Sequence, residues 1–262
     1  MEILNVTIGS DPELFIINKK TNKVVSSIGL IPGEKGNPYR TKDMPEGFGL
    51  EIDNILAEFN IPACISKQEF VNSMNYMKNY IRKYIQQKNP DLDILCKASM
   101  IVDSDQLQSD EAKLFGCSVD YNAYTEEPNP KPNGESTNLR SAGCHIHIGY
   151  NNNNIDTSLK LIKYLDMYLG IPSVLKDPDT KRRNLYGKAG CFRLTSYGCE
   201  YRVLSSYFIK DDETISWVWD RVFKAINAYN DDKELISSDL VQEIINESNA
   251  ELAKELIRNY NI

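Results

Sequence analysis

Histidine is almost missing from this chain: 262 residues contain two, His145 and His147. Chemistry that needs an imidazole must therefore be done in one stretch. Long apolar runs are missing too, and nothing approaches the ~20 residues of a membrane helix, so no membrane partner is expected. The opening MEILNVTIGS lacks both a basic start and an apolar stretch, so no secretory leader is expected. The six cysteines, at 64, 96, 117, 144, 191 and 199, include no C-x-x-C pair, which excludes a zinc ribbon or dithiol motif. Without a leader they are expected to be free thiols in a reducing cytoplasm. Basic residues are outnumbered, 30 Lys+Arg against 37 Asp+Glu, for a formal charge of −7. Coating a nucleic acid relies on a basic field, so direct nucleic-acid binding is not expected. A nucleotide held by a few local cations stays open. The G-x-S-x-G elbow and the G-x-x-x-x-G-K-[ST] loop are both lacking, which disfavours an elbow hydrolase and a P-loop nucleotidase.

No Ser/Gly-rich linker divides the sequence, and a single domain over 1–262 is expected, with a helical C-terminal part from about 211. The loosest stretch is 126–136, EEPNPKPNGES, read as a surface loop or lid. Ser66 and Glu69 form a capping box, and Phe70, Met74, Met77, Ile81 and Tyr84 follow at helical spacing, so a helix is expected over about 66–88. Ile155, Leu159, Ile162, Leu165 and Leu169 make a second stripe, which Gly170 and Pro172 are expected to close. Ile215, Trp219, Val222, Phe223 and Ile226 make a third, and about 238–258 reads as one or two more helices. Extended segments fall at about 2–17, 47–60, 143–150 and 198–208. They do not alternate strictly with helices. The expected class is α+β, an antiparallel sheet with helices on one face.

The chemistry collects on these extended segments. Strand residues i and i+2 share a side, so in GCHIHIGY, 143–150, both histidines face one way and Cys144, Ile146, Ile148 and Tyr150 the other. The flanking glycines are expected to leave room for something large beside the histidines. Cys144 thus points away from His145 and is expected to be a core thiol rather than a nucleophile. Asp11 and Glu13 repeat the i, i+2 pattern, as do Glu51 and Asp53 (followed by Glu58), and Glu200 and Arg202. If these strands share a sheet, one face gathers carboxylates, two imidazoles and an arginine. Crowded carboxylates raise one another's pKa. A divalent cation resolves the conflict, and this donor set suits Mg²⁺ or Mn²⁺ better than zinc. Taken singly, each doublet also fits the solvated side of an ordinary strand. The stretch 181–193, KRRNLYGKAGCFR, is a basic reversal in an acidic chain and reads as a polyanion site or a solvated loop. Arg140 is a further candidate, for an anion or for a structural ion pair.

Together, GSDPELF, EIDNILAEFNIPA, FGCSVDYNAYT, RSAGCHIHIGY, RRNLYGKAGCFR and YGCEYRVLSSY resemble the phage-type carboxylate–amine ligases, or amidoligases, of the glutamine synthetase/glutamate–cysteine ligase superfamily. The resemblance runs over about 8–208, and the C-terminal helices carry no motif. It implies a curved antiparallel funnel with helices on its convex side. It also implies ATP-dependent amide formation through an acyl phosphate, with ATP and Mg²⁺ or Mn²⁺ as cofactors and a small-molecule or peptide carboxylate and amine as substrates. By motif position, Asp11, Glu13, Asp53, Glu58, His145 and Glu200 would be metal ligands. His147 would support the His145 metal site or contact the nucleotide, and Arg140 would lie at the nucleotide. Lys188 and Arg193 would contact phosphates, and Arg202 would steady substrate or acyl phosphate. For a phage-encoded protein, the place of action would be the host cytoplasm. Two departures stand out: Asn54 replaces a small residue, usually glycine, and the first doublet is Asp-Pro-Glu. Two other functions compete: a metal-dependent hydrolase on the same site, and a catalytically silent binding or structural module.

Overall fold

The computed structural model describes residues 2–113, 119–132, 137–151 and 153–262. Its centre is an antiparallel sheet. Strand β1 (Thr7–Asn18) starts it, β2 (Lys23–Val25) folds back on the far end of β1, and β3 (Gly49–Asp53) with β4 (Leu56–Cys64) forms a hairpin. Strand β5 (Leu92–Leu95) also pairs with β1, while β6 (Ser99–Ile101) and β8 (Leu139–Ser141) make a separate two-stranded ribbon. Strands β7 (Tyr121–Asn122), β9 (Cys144–Gly149), β10 (Cys191–Thr195) and β11 (Gly198–Tyr201) complete it, in the order β3-β4-β1-β9-β11-β10-β7. The expected α+β class is what the chain adopts, and each expected extended segment contributes a strand to this sheet, although the first strand begins only at Thr7 and the last ends at Tyr201, ahead of a 3-10 turn at Ser206–Ile209.

Period-two alternation sets the sheet's two faces. Ile8, Leu14, Ala57, Phe59, Ile146, Ile148, Cys199 and Tyr201 are buried in one continuous apolar cluster. Helix α1 (Lys67–Lys88) lies against β4 and β5 and adds Phe70, Met74, Met77 and Ile81 to that cluster. Both capping-box bonds form: Glu69 N–H donates to Ser66 Oγ (3.2 Å) and Ser66 N–H to Glu69 Oε2 (3.2 Å). Helix α2 (Asp110–Lys113) is a single turn. Helix α3 (Ile155–Leu165) packs on β10 and β11, and α5 (Asp212–Asn230) packs on α1 and α3. Helices α6 (Ser238–Asn246) and α7 (Ala250–Tyr260) end the chain. No described helix is long and apolar enough to cross a membrane.

One boundary differs from the sequence reading. Gly170 and Pro172 do not stop the second helix, which continues through a π turn, Asp166–Gly170, into α4 (Ile171–Lys176). Gly170 has a helical φ of −62°. It is small for another reason: a Cβ there would lie 2.6 Å from Tyr201 Oη and 3.2 Å from Asp166 Oδ1. The π turn aims the buried Asp166 at the sheet. Its carboxylate accepts from Tyr201 Oη (2.8 Å), Tyr124 Oη (3.1 Å) and Gly190 N–H (2.6 Å). Burial pushes this carboxyl up to about 7, against the pull of those three donors. π turns often accompany functional sites. This one ties the helical layer to the segments that carry Lys188, Arg193 and Arg202.

Five cysteines, 64, 96, 144, 191 and 199, are free thiols, and Cys117 lies outside the described residues. Cys144 faces the core as expected, and burial pushes its thiol up to about 12.

Candidate active site

The polar face is built by strand register. Glu13 of β1 lies opposite Glu58 of β4, and Glu58 opposite Glu51 of β3. Asp11 lies opposite His145. In a third row, Gly9, His147, Glu200 and Arg193 follow one another across β1, β9, β11 and β10. Side chains facing each other in such rows are the close neighbours of a sheet. The doublets from separate strands therefore converge.

Two clusters result. Oxygens of Glu13, Asp53 and Glu58, all three buried, lie within 4.8 Å of one another, as do ligand atoms of Asp11, His147 and Glu200. In the first cluster, Gly143 N–H donates to Glu13 Oε2 (2.6 Å), and Lys35 Nζ stands 2.9 Å from Asp53 Oδ1. Burial raises the carboxyl pKa of Glu13, and the Asp53 charge adds to it. Burial, with the Asp11, Asp53 and Glu13 charges, pushes Glu58 well above the ordinary range. In the second cluster, Asp11 Oδ1 lies 3.1 Å from both His145 Nδ1 and His147 Nε2. Burial opposes ionisation of Asp11, but the two imidazoles outweigh it and hold the carboxyl well below the ordinary range. Burial likewise disfavours charge on His147, and Asp11 reverses the balance, so its pKa is raised.

Cations border the second cluster. Arg202 Nη1 donates to Glu200 Oε1 and lies 3.3 Å from His145 Nδ1, while its Nε reaches Asp120 Oδ2 at 3.3 Å. Arg193 Nε stands 3.0 Å from Glu200 Oε2. Tyr197 Oη lies 2.6 Å from His147 Nδ1. Lys188 lines a neighbouring cavity of about 170 Å³ with Asp120, Tyr186 and the Asn129–Pro132 stretch of the loop expected at 126–136. Residues 133–136 of that loop lie outside the described residues.

Several expectations are placed differently. Arg140 is not brought to the cluster: its guanidinium donates to the carbonyls of Ala112, Thr137 and Leu139 and anchors the β6–β8 ribbon. The basic stretch is not one solvated loop. Arg183 is buried against Ser173 and Ser248, and buried Arg182 donates to Val203 O and lines a small cleft with Glu13, Gly143, His145 and Arg202. Gly143 does not open free space beside His145. A Cβ there would lie 2.7 Å from His145 Nε2 and 3.2 Å from Arg182 Nη2, so the missing side chain lets those groups close in. Asn54 is explained by its φ of 61°, a left-handed conformation that asparagine tolerates best after glycine. The turn between Asp53 and Leu56 is thereby kept.

Lys35, Asp120, Tyr197 and Arg182 were not singled out by the sequence reading. Asp120 sits inside the quoted FGCSVDYNAYT, and Arg182 inside the basic stretch. Lys35 is a lone cation in a turn, with nothing in the pattern to link it to strands elsewhere.

The donor set fits a hard divalent cation: three buried carboxylates in one group, two carboxylates and an imidazole in the other. A titration tests this. Above the ordinary carboxylate value of 4.5, the folded protein retains protons on Glu13 and Glu58 that the unfolded chain releases. Metal-free stability is therefore expected to fall as pH rises from 4.5 toward neutrality. The Tm gained on adding Mn²⁺ is expected to grow over the same interval, because the ion replaces those protons. Thermal melts with and without Mn²⁺ check both slopes; a flat Mn²⁺ gain from pH 5 to 8 would refute the fit.

Residues 134–260 match the family described as Phage phiEco32-like COOH.NH2 ligase-type 2. The matched segment carries His145, His147, Lys188, Arg193, Glu200 and Arg202, and it runs through the C-terminal helices, which the sequence reading left outside the resemblance. The acidic strands β1, β3 and β4 lie outside the match. No curated protein matches the chain.

Proposed function

We propose that this chain, whose residues 134–260 match the phage COOH.NH2 ligase family, joins a carboxylate to an amine by ATP-dependent amide formation through an acyl phosphate. The observation that carries the reading is the register of the sheet. It sets the acids of β1, β3 and β4 beside the histidines and arginines of the family-matched strands. Phosphoryl transfer asks a protein mainly for positioning and charge neutralisation, and this face offers both.

Glu13, Asp53 and Glu58 would hold one Mg²⁺ or Mn²⁺, and Asp11 and Glu200 with His147 or His145 a second. When bound, such ions neutralise phosphate charge and orient the transferred group. The chain's own cations do the rest. Arg202 is buried and held by Glu200 and Asp120, a fixed donor for charge developing on the acyl phosphate. Lys188 lines the 170 Å³ cavity, where it can meet a phosphate or a substrate carboxylate, and Arg193 stands beside Glu200 Oε2, a second cation for a phosphate. Tyr197 orients His147 through Nδ1 and leaves Nε2 toward Asp11. Residues 129–132 border that cavity and can help shield an acyl phosphate from water.

A panel of carboxylates and amines, incubated with ATP and Mg²⁺ or Mn²⁺, tests the proposal by ADP release and product mass. The expected result is ADP formed only when carboxylate, amine and divalent ion are all present, together with a condensed product one water lighter than the sum of its parts. Ion-dependent cleavage of a substrate without nucleotide would establish the hydrolase instead. A panel with no turnover but tight ligand capture would establish the silent module.

A further inference from the structure

Lys35 reaches the carboxylate group from outside the sheet, on an arm that its neighbours hold still. Tyr39 and Leu50 exchange backbone hydrogen bonds (2.7 and 3.1 Å), which fastens the arm to β3. Gly33, with φ +90°, presses so close to β3 that a Cβ would lie 2.2 Å from Leu50 O. Glu34 and Asn37 close a tight turn with paired backbone bonds (3.3 and 2.8 Å), leaving Lys35 and Gly36 at its tip. Gly36 has φ +78° and open space around it, so glycine is there for the turn and not for room. Gly36 N–H donates to Glu51 Oε2 at 2.9 Å. Glu51 thus stabilises the tip of the arm.

Only the lysine side chain is left to move. Its side chain is 41% exposed, whereas that of its partner Asp53 is 6% exposed. The ammonium can withdraw without unpacking anything buried. It gives a single positive charge to three carboxylates. A divalent cation held by the oxygens of these three carboxylates would bring its charge close to the ammonium. An ammonium 2.9 Å from one of the same oxygens could not stay there against the repulsion.

We propose that Lys35 is an exchangeable counter-ion of the Glu13/Asp53/Glu58 group. It holds the carboxylates together in the ion-free protein, and it gives way to an entering divalent cation and turns to the anion that accompanies that cation. The inference rests on the metal reading of that group. Its consequence is ordering: a bare ion must evict the ammonium, whereas an ion arriving with a polyphosphate supplies the ammonium with a new partner.

Mn²⁺ binding to the full chain, followed by the electron paramagnetic resonance of the free ion at pH 7.5, tests this on wild type, Lys35→Met and Lys35→Arg. Circular dichroism melts confirm folding. Lys35→Met is expected to bind bare Mn²⁺ at least ten-fold more tightly than wild type, and Lys35→Arg to stay near wild type. With a non-hydrolysable ATP analogue present, the gain of Lys35→Met is expected to vanish, because the phosphate has lost its ammonium. If Lys35→Met and wild type bind bare Mn²⁺ equally, the exchange is overturned while the metal reading stands. An equal gain with and without the analogue overturns the hand-over to the anion. If neither protein binds Mn²⁺, the metal reading falls and the inference with it.

Discussion

Glu58→Gln is expected to give a protein that melts higher than wild type and does no chemistry. Glu58 faces Glu13 on one side and Glu51 on the other, and like charges directly opposed across strands are destabilising. Its carboxyl is pushed well above the ordinary range, first by burial and then by Asp11, Asp53 and Glu13. At neutral pH, folding therefore means either holding a proton the unfolded chain would release or burying another negative charge. The amide keeps the shape and removes the conflict. A gain of about 1 kcal/mol raises Tm by roughly 2–4 °C in a chain of this size. On the proposed metal reading, the same substitution removes a ligand. Wild type should gain about 2.7 kcal/mol of stability at Mn²⁺ one hundred-fold above its Kd, and the variant should gain little. Ligase turnover should fall by on the order of 10²-fold or more, since bound metal supplies several kcal/mol of transition-state stabilisation. Melts with and without Mn²⁺, read beside ADP release, check all three. A variant that melts lower and keeps its full response to Mn²⁺ would show Glu58 to be structural.

How far the sequence exposes this site depends on the length scale of each signal. The faces of β1, β4 and β9 were legible because alternation is local: His145 and His147 must share a side whatever their neighbours do. That Glu13 meets Glu58 and His147 meets Glu200 was not legible, because strand order and register are long-range facts set by packing. Lys35 and Asp120 stayed hidden for the same reason, each being a single charge whose partner arrives from another strand. The basic stretch at 181–193 misled in part. A run of charges is read as a solvated or ligand-binding loop, yet Arg183 is spent inside the helical layer on Ser173 and Ser248. Arg140, five residues before His145, misled by proximity, since its guanidinium caps the carbonyls of Ala112, Thr137 and Leu139 beside the β6–β8 ribbon. The Gly170/Pro172 stop signal was also overridden. Gly170 answers to Tyr201 Oη across the layer, and a tertiary contact of that kind leaves no local trace.

Arg202 is expected to show the opposite balance to Glu58, with large losses in both stability and activity. Its side chain is 3% exposed and satisfies Glu200 and Asp120. Arg202→Met keeps the length and removes the charge, which leaves Glu200 and Asp120 without the group that pairs them. Breaking a buried pair from one side costs about 3–5 kcal/mol, which at ~2–4 °C per kcal/mol in a chain of this size lowers Tm by roughly 6–20 °C. Arg202→Lys should keep most of the stability, because a cation remains. It cannot, however, reach Glu200 and Asp120 together from one ammonium. Turnover should then fall on the order of 10²–10³-fold, the usual cost of losing a fixed donor to developing charge, in a protein that still binds Mn²⁺. The double variant Arg202→Met/Glu200→Gln separates the two roles. Removing both partners of a buried pair is often close to neutral, so its Tm should recover part of the way toward wild type, by more than the single substitutions added together allow, with Asp120 still lacking Arg202. Activity should not recover, since both the proposed ligand and the proposed donor are gone. Thermal melts and ADP release on wild type, Arg202→Met, Arg202→Lys, Glu200→Gln and the double variant decide the matter, and an Arg202→Met variant that is as stable and active as wild type would remove Arg202 from the site.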